Sequence, residues 1–209
     1  MKVKPVNLAT KTVPPVIDGQ NTSLISGNDY VWRTEKADFQ VKGTNGSGGN
    51  PSWTEYISGF QGLTFSGTAM NQVWVDFCIE HDIAPNTKIY PQIHWMPLNN
   101  TTGAVRWGIE YIIAKGHGQA AFPTQSTIVM INHTVPLNSL NKHMITEVPD
   151  ISAILSSQIE PDSVIKMRIF RDGAHANDTH NYAVHAWQAK LKYQVARFGT
   201  KSRKPPFIL

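Results

Sequence analysis

Ile89-Tyr-Pro-Gln-Ile-His-Trp95, a turn at Pro97-Leu-Asn-Asn-Thr-Thr-Gly103, and Ala104-Val-Arg-Trp-Gly-Ile-Glu-Tyr-Ile-Ile-Ala114 together decide how this chain is read. In the first run Ile89, Pro91, Ile93 and Trp95 share one face, and Tyr90, Gln92 and His94 share the other. In the second run Val105, Trp107, Ile109, Tyr111 and Ile113 alternate with Arg106, Gly108 and Glu110. A period of two built from aromatic and β-branched residues belongs to a half-buried strand. The segment between the runs consists of turn formers. The pattern predicts one long β-hairpin that carries the core, with Trp95, Trp107 and Tyr111 among its central residues.

Outward from this stretch the same period recurs. Gln72 to Ile79 alternates with Val73, Val75, Phe77 and Ile79 on one side. Val164 to Arg171 alternates Ile165, Met167 and Ile169 with Lys166 and Arg168. Asn181 to Val195 reads as a long final strand, with Ala183, His185, Trp187, Ala189, Leu191, Tyr193 and Val195 inward and Gln188, Lys190, Lys192 and Gln194 outward. Tyr30 to Val41, Gly62 to Ser66 and Thr124 to Ile131 are further strand candidates. Lys142 to Leu155 is ambiguous between strand and one helical turn. About eight strands with turn-rich links and almost no helix predict an all-β, jelly-roll-like β-sandwich. The expected layout is an extended, proline-interrupted arm at 1–18, the sandwich at 19–200 and a basic tail at 201–209. The Gly/Asn-rich stretch from Lys42 to Pro51 is a surface loop, because those residues supply no core face.

The 209 residues suffice for one substantial core. No apolar run reaches the length of a membrane span, which argues against membrane insertion. Nothing apolar follows Met-Lys-Val-Lys-Pro, so no signal peptide is expected. The single cysteine, Cys78, permits no intrachain disulfide and is expected to be a small buried hydrophobe. The net charge of +4 is mild and forms no basic stripe, which argues against nucleic acid as a partner.

Chemistry-bearing residues form three groups. Asp172, His175, Asp178 and His180 lie on one short loop and could ligate a metal. Their spacing matches no compact signature, and a hairpin loop needs polar residues merely to turn. Asp76, Glu80 and Glu110 could supply an acid/base pair, and Cys78 with His81 a thiolate pair, but no spacing shows that either set converges. His94 and His185, near Trp95 and Trp187, read as core histidines packed on indole. No cofactor is implied. Trp32, Trp53, Tyr56 and Phe60 flank the glycine-rich loop and could stack on sugars or fill a partner's pocket; the competing reading places them in the core.

Pro91-Gln-Ile-His-Trp95, Val105-Arg-Trp-Gly-Ile-Glu-Tyr111, Lys142-His-Met-Ile-Thr146, Lys166-Met-Arg-Ile-Phe-Arg-Asp172 and Asn177-Asp-Thr179 occur in that order. This order resembles a group of tailed-bacteriophage virion proteins of the tail fibre, tail spike or head fibre type. The resemblance spans Tyr90 to Tyr193, about half the chain. Gln92 stands where many members have histidine, and His180 where tyrosine is common, which weakens a two-histidine metal site. The resemblance implies a β-sandwich that commonly trimerises. The expected function is a non-enzymatic virion structural protein, made in the host bacterial cytoplasm, that serves as a surface fibre or receptor-binding module for host attachment. Its expected partners are itself, as a homotrimer, other virion proteins, and a host surface glycan or protein. The alternatives are a capsid decoration or connector protein and a surface polysaccharide depolymerase.

Overall fold

The alternating runs fold as strands and stack in two antiparallel sheets. A computed structural model describes residues 30–42, 48–195 and 203–205; the arm at 1–18 and most of the tail at 201–209 lie outside the described residues. In chain order the strands are β1 (Val31–Asp38), β2 (Ser52–Ile57), β3 (Phe60–Phe65), β4 (Met70–Cys78), β5 (Lys88–Pro97), β6 (Gly103–Ala114), β7 (Thr127–Val135), β8 (Met144–Glu147), β9 (Ile154–Leu155), β10 (Val164–Asp172) and β11 (Val184–Val195). The β-sandwich is as expected, with eleven strands among the described residues rather than about eight. The additions are the short edge pieces β8 and β9 and the separate strand β2. The ambiguous stretch resolves into β8, a 3-10 turn at Asp150–Ser152, and β9.

In the first sheet β5 and β11 pair at the centre. β1 and the β2–β3 hairpin share the other edge of β11, while β8 and β9 share the other edge of β5. The second sheet has the order β4-β10-β6-β7. Isoleucines and valines of both sheets fill the space between them with Trp95, Trp107, Phe65, Phe77 and Tyr193, and Tyr111 packs at the margin. The Trp95 and Trp107 rings meet edge to face at 5.9 Å, and Phe65 meets Trp107 at 5.2 Å.

Two register expectations are corrected. β5 and β6 do not pair; they belong to different sheets, and Pro97–Gly103 arches across the sandwich between them. A hairpin and an arch demand the same alternation within each strand. Here both apolar faces are wide enough to be buried against each other, which removes more apolar surface from water than lying side by side. The hairpins that do form are β2–β3 and β6–β7. In β11 the register with β5 shifts between Ala186 and Gln188. This bulge puts Val184 and Ala186 inward with Ala189, Leu191, Tyr193 and Val195, so His185 and Trp187 leave the expected inner row. Cys78 is also corrected: it is exposed, on the same side of β4 as Trp74 and Asp76.

Candidate functional site

The proposed metal loop is built around an arginine. Arg171 ends the inward-facing run of β10 and is fully buried. Its Nε and Nη2 donate to the two carboxylate oxygens of Asp178 at 2.9 and 2.8 Å. Nη1 donates to the carbonyls of Tyr182 (2.7 Å) and Phe65 (3.3 Å), and Nη2 also donates to the His180 carbonyl. Asp178 further accepts the Arg106 backbone N–H at 3.0 Å. Asp172 lies 3.6 Å from Arg106 Nε. His175 is exposed and accepts the Asn177 N–H, while His180 is buried. The four residues therefore form no ligand set, and no three His, Cys, Asp or Glu side chains among the described residues are placed to hold an ion. The polar residues of this loop satisfy a buried guanidinium instead.

The four loop aromatics do not form one patch. Trp32 pairs across from Gln194 at one end of β11, whereas Tyr56 packs on His185 at the other, with ring centroids 5.2 Å apart. The nine-residue step between those positions corresponds to roughly 30 Å of strand. Trp53 and Phe60 are 61% and 65% exposed on the β2–β3 hairpin.

What the fold assembles is a strip along the outer face of the first sheet. At one end Trp32, half exposed, meets Tyr90 edge-on at 5.8 Å and carries Lys192 Nζ 5.3 Å from its ring centre. Tyr90 donates to Asp150 Oδ1 at 2.7 Å, and Lys88 also pairs with Asp150. Trp32, Tyr90, Glu147, Val148, Asp150 and Lys192 surround a hollow of about 370 Å³. Next along the strip, Gln92 opposes Lys190 and donates to Glu147. In the middle His94 and His143 meet through Nδ1 and Nε2 at 2.8 Å, and the His143 ring lies 5.2 Å from Trp187. His185, Tyr56, Thr54 and Thr64 close the far end.

His94 and His185 are thus buried, as expected, but beneath outer-face side chains rather than between the sheets. Burial, followed by the nearby Lys190 and His143, pulls the His94 pKa down to about 4, so its ring is neutral at ordinary pH. On the opposite side of β1, burial and then Glu80 push the Glu35 carboxyl up to about 7. Arg33 and Asp82 form an ion pair beside it, tying β1 to the connection after β4.

The outer face of the second sheet holds a second hollow, of about 540 Å³, lined by Lys42, Trp74, Asp76, Glu110, Ser126, Lys166 and Arg168 among others. Asp76 and Glu110 do share this face, on strands separated by β10. Each is engaged by a cation of that strand: Asp76 by Lys166 at 2.9 Å, Glu110 by Arg168 at 2.6 Å. Burial opposes ionisation of Glu110, but hydrogen bonds from Ser126 and Arg168 hold its carboxyl below the usual range. His81, proposed with Cys78 as a thiolate pair, meets Asp162 at 3.2 Å, and Asp162 also takes His117 at 2.9 Å.

Lys190 and Lys192 are already in the outward register of the last strand as read from sequence. Tyr90 is likewise on the face opposite the core. Their convergence with Trp32, Asp150 and Trp187 depends on strand pairings and on a bulge that no local pattern marks.

No family model matches the chain, and no curated protein matches it in sequence. Among solved structures it is similar to the structure of infectious bursal disease virus, Gx strain, at 9% identity and a TM-score of 0.38; the alignment covers 95% of this chain and 41% of that one. It is also similar to a non-crystalline cellulose specific carbohydrate-binding module, CBM28, at 14% identity and a TM-score of 0.33, covering 75% of this chain and 85% of the module. A family 11 carbohydrate-binding module from Clostridium thermocellum aligns at 13% identity and a TM-score of 0.30, covering 85% and 94%. The chain spans less than half the length of the viral chain it resembles.

Proposed function

We propose that this chain is a non-enzymatic virion surface protein that attaches to host glycan through the outer face of its first sheet. The observation that carries the binding part is the Trp32 end of the strip. A half-exposed indole, braced edge-on by Tyr90, stands over a hollow ringed by Asp150, Glu147 and Lys192. An aromatic ring offers a stacking plane for a pyranose, and fixed charged groups beside it hydrogen-bond the sugar hydroxyls. The virion part rests on the ordered motifs from Tyr90 to Tyr193, whose resemblance is to tailed-phage fibre and spike proteins. Other virion proteins are the partners that anchor it, and the assembled state is a homotrimer.

The test offers labelled protein separately to host cells and to capsids lacking it. Saturable cell binding that competes with infection, weakened about tenfold or more by Trp32→Ala at unchanged thermal stability, is the expected result. Binding to capsids alone would instead make it a decoration or connector protein. A depolymerase is the second reading, favoured by Asp76 and Glu110 sharing the hollow beside Trp74. Release of reducing sugar from host capsule, abolished by Glu110→Gln or Asp76→Asn, would establish it.

A further inference from the structure

Lys36 and Lys190 stand directly opposite each other on β1 and β11, on the outer face of the first sheet. Lys192 is two residues further along β11 on the same face, opposite Thr34. Like charges at opposed cross-strand positions destabilise a sheet. Neither Lys36 nor Lys190 forms an ion pair among the described residues, whereas Lys88, Lys115, Lys166 and Lys192 each have a carboxylate within 4.0 Å. The acids flanking the pair do not reach it. Asp38 lies beyond Lys36 on β1, opposite Gln188, and Glu147 is engaged by Gln92 and Lys192. Gln92, which opposes Lys190 from β5, turns its amide to that same glutamate. The face therefore keeps two lysines at opposed positions with no counter-ion among the described residues.

We infer that the ligand of this face is an acidic glycan, whose carboxylate or sulfate bridges Lys36 and Lys190 while a neighbouring sugar of the same chain stacks at Trp32. This rests on the reading of the face as glycan-binding. Trp32 and Lys36 are four residues apart on one strand, about 13 Å, a distance an oligosaccharide spans. A nucleic acid would also present anions to these lysines. Single-stranded binders, however, line the backbone groove with successive aromatic platforms. Here no aromatic side chain lies between Trp32 and the lysine pair on β1, where Thr34 occupies the intervening outer position.

The experiment titrates the full chain with oligogalacturonate and oligosialate, with the carboxyl-reduced form of each, and with a single-stranded oligonucleotide, at low and near-physiological salt. The expected result is saturable, salt-sensitive binding of an acidic oligomer, with its reduced form at least about tenfold weaker. Lys36→Gln and Lys190→Gln each weaken that binding about tenfold while leaving the melting temperature unchanged or higher, because each removes a like-charge opposition. A purely structural role for these lysines would lower the melting temperature instead. Equal binding of acidic and reduced forms overturns the acidic assignment and leaves the glycan reading standing. Failure of both forms overturns the two together, and preferential binding of the oligonucleotide overturns this inference in favour of a nucleic-acid ligand.

Discussion

Arg171 shows what the late Arg-Asp…Asp-Thr segment does in this chain. Its guanidinium carries five N–H donors, and Asp178 with the carbonyls of Phe65, His180 and Tyr182 accepts all of them without solvent. Two of those carbonyls belong to the chain entering β11, so one side chain fixes how the last strand begins. Removing the cation strands a buried carboxylate and three carbonyls. Arg171→Met is expected to cost about 3–5 kcal/mol in denaturant unfolding. A double variant with Asp178→Asn should recover part of that loss; complete additivity of the two would argue against the pairing. His94 provides a pH-dependent test at the same scale. Its folded pKa of about 4 lies below the ordinary histidine value of 6.5, so between those values the unfolded chain takes up a proton that the folded chain refuses. The neutral-His94 contribution is complete above about pH 6.5 and is lost as pH falls toward 4, by up to about 3 kcal/mol. Unfolding free energies measured from pH 7 to 4 should drop less steeply in His94→Gln, and parallel curves would contradict the assignment.

At the scale of elements, the bulge in β11 decides which side chains reach solvent. Upstream of it Val184 and Ala186 face the core; downstream Ala189, Leu191 and Tyr193 do. Were Trp187 paired in a regular ladder instead of bulged, strict alternation back from Ala189 would carry His185 inward and push Val184 and Ala186 out. Deleting Trp187 would leave Ala186 opposite Trp95 and Gln188 opposite His94 in a regular ladder, so the β3 and β5 pairings both keep their register and the deletion is expected to cost no more than about 1 kcal/mol. Trp187→Ala keeps the bulge and loses mainly the His143 contact, so it should unfold close to wild type. A loss of several kcal/mol for the deletion alone, with the substitution near wild type, would show that the fold needs the bulge itself. Gly108 shows the complementary constraint on β6. The Phe170 ring lies where a Cβ would be, 2.1 Å away, and Arg168 stacks on that ring at 4.5 Å. The ring over glycine holds this part of the second sheet's outer face.

At the scale of the whole molecule, one sandwich presents two differently built outer faces. The first sheet carries aromatics, histidines and, in Lys36 and Lys190, two lysines without an ion pair among the described residues. The second carries the matched pairs Lys166–Asp76 and Arg168–Glu110. The unpaired Lys36 and Lys190 beside an exposed indole are what favour the first face in the proposed binding role. Trp53, Ile57 and Phe60 are each more than 40% exposed on the β2–β3 hairpin, at an edge of the first sheet. Apolar side chains on an edge hairpin suit burial against another copy. Light scattering at micromolar concentration is expected to give a trimer mass, shifting toward monomer when Trp53 and Phe60 are both changed to serine. A stable wild-type monomer would refute the trimer.

The sequence alone carried the strand periods, the inward rows of β4, β5, β6 and β10, and hence the all-β sandwich, because solvent exposure alternates residue by residue and leaves its mark locally. It also placed Lys190 and Lys192 on an outer row. It could not distinguish the β5–β6 arch from a hairpin, since both need the same alternation and differ only in which strands share hydrogen bonds. Nor could it locate the β11 bulge, which exists only relative to β5. The loop from Asp172 to His180 left a metal-ligand reading open beside a turn reading, because the burial of Arg171 against Asp178 is a tertiary fact that the seven-residue spacing does not mark. The opposition of Lys36 and Lys190, 154 positions apart, was set by the pairing of β1 with β11, a tertiary contact that neither segment encodes by itself.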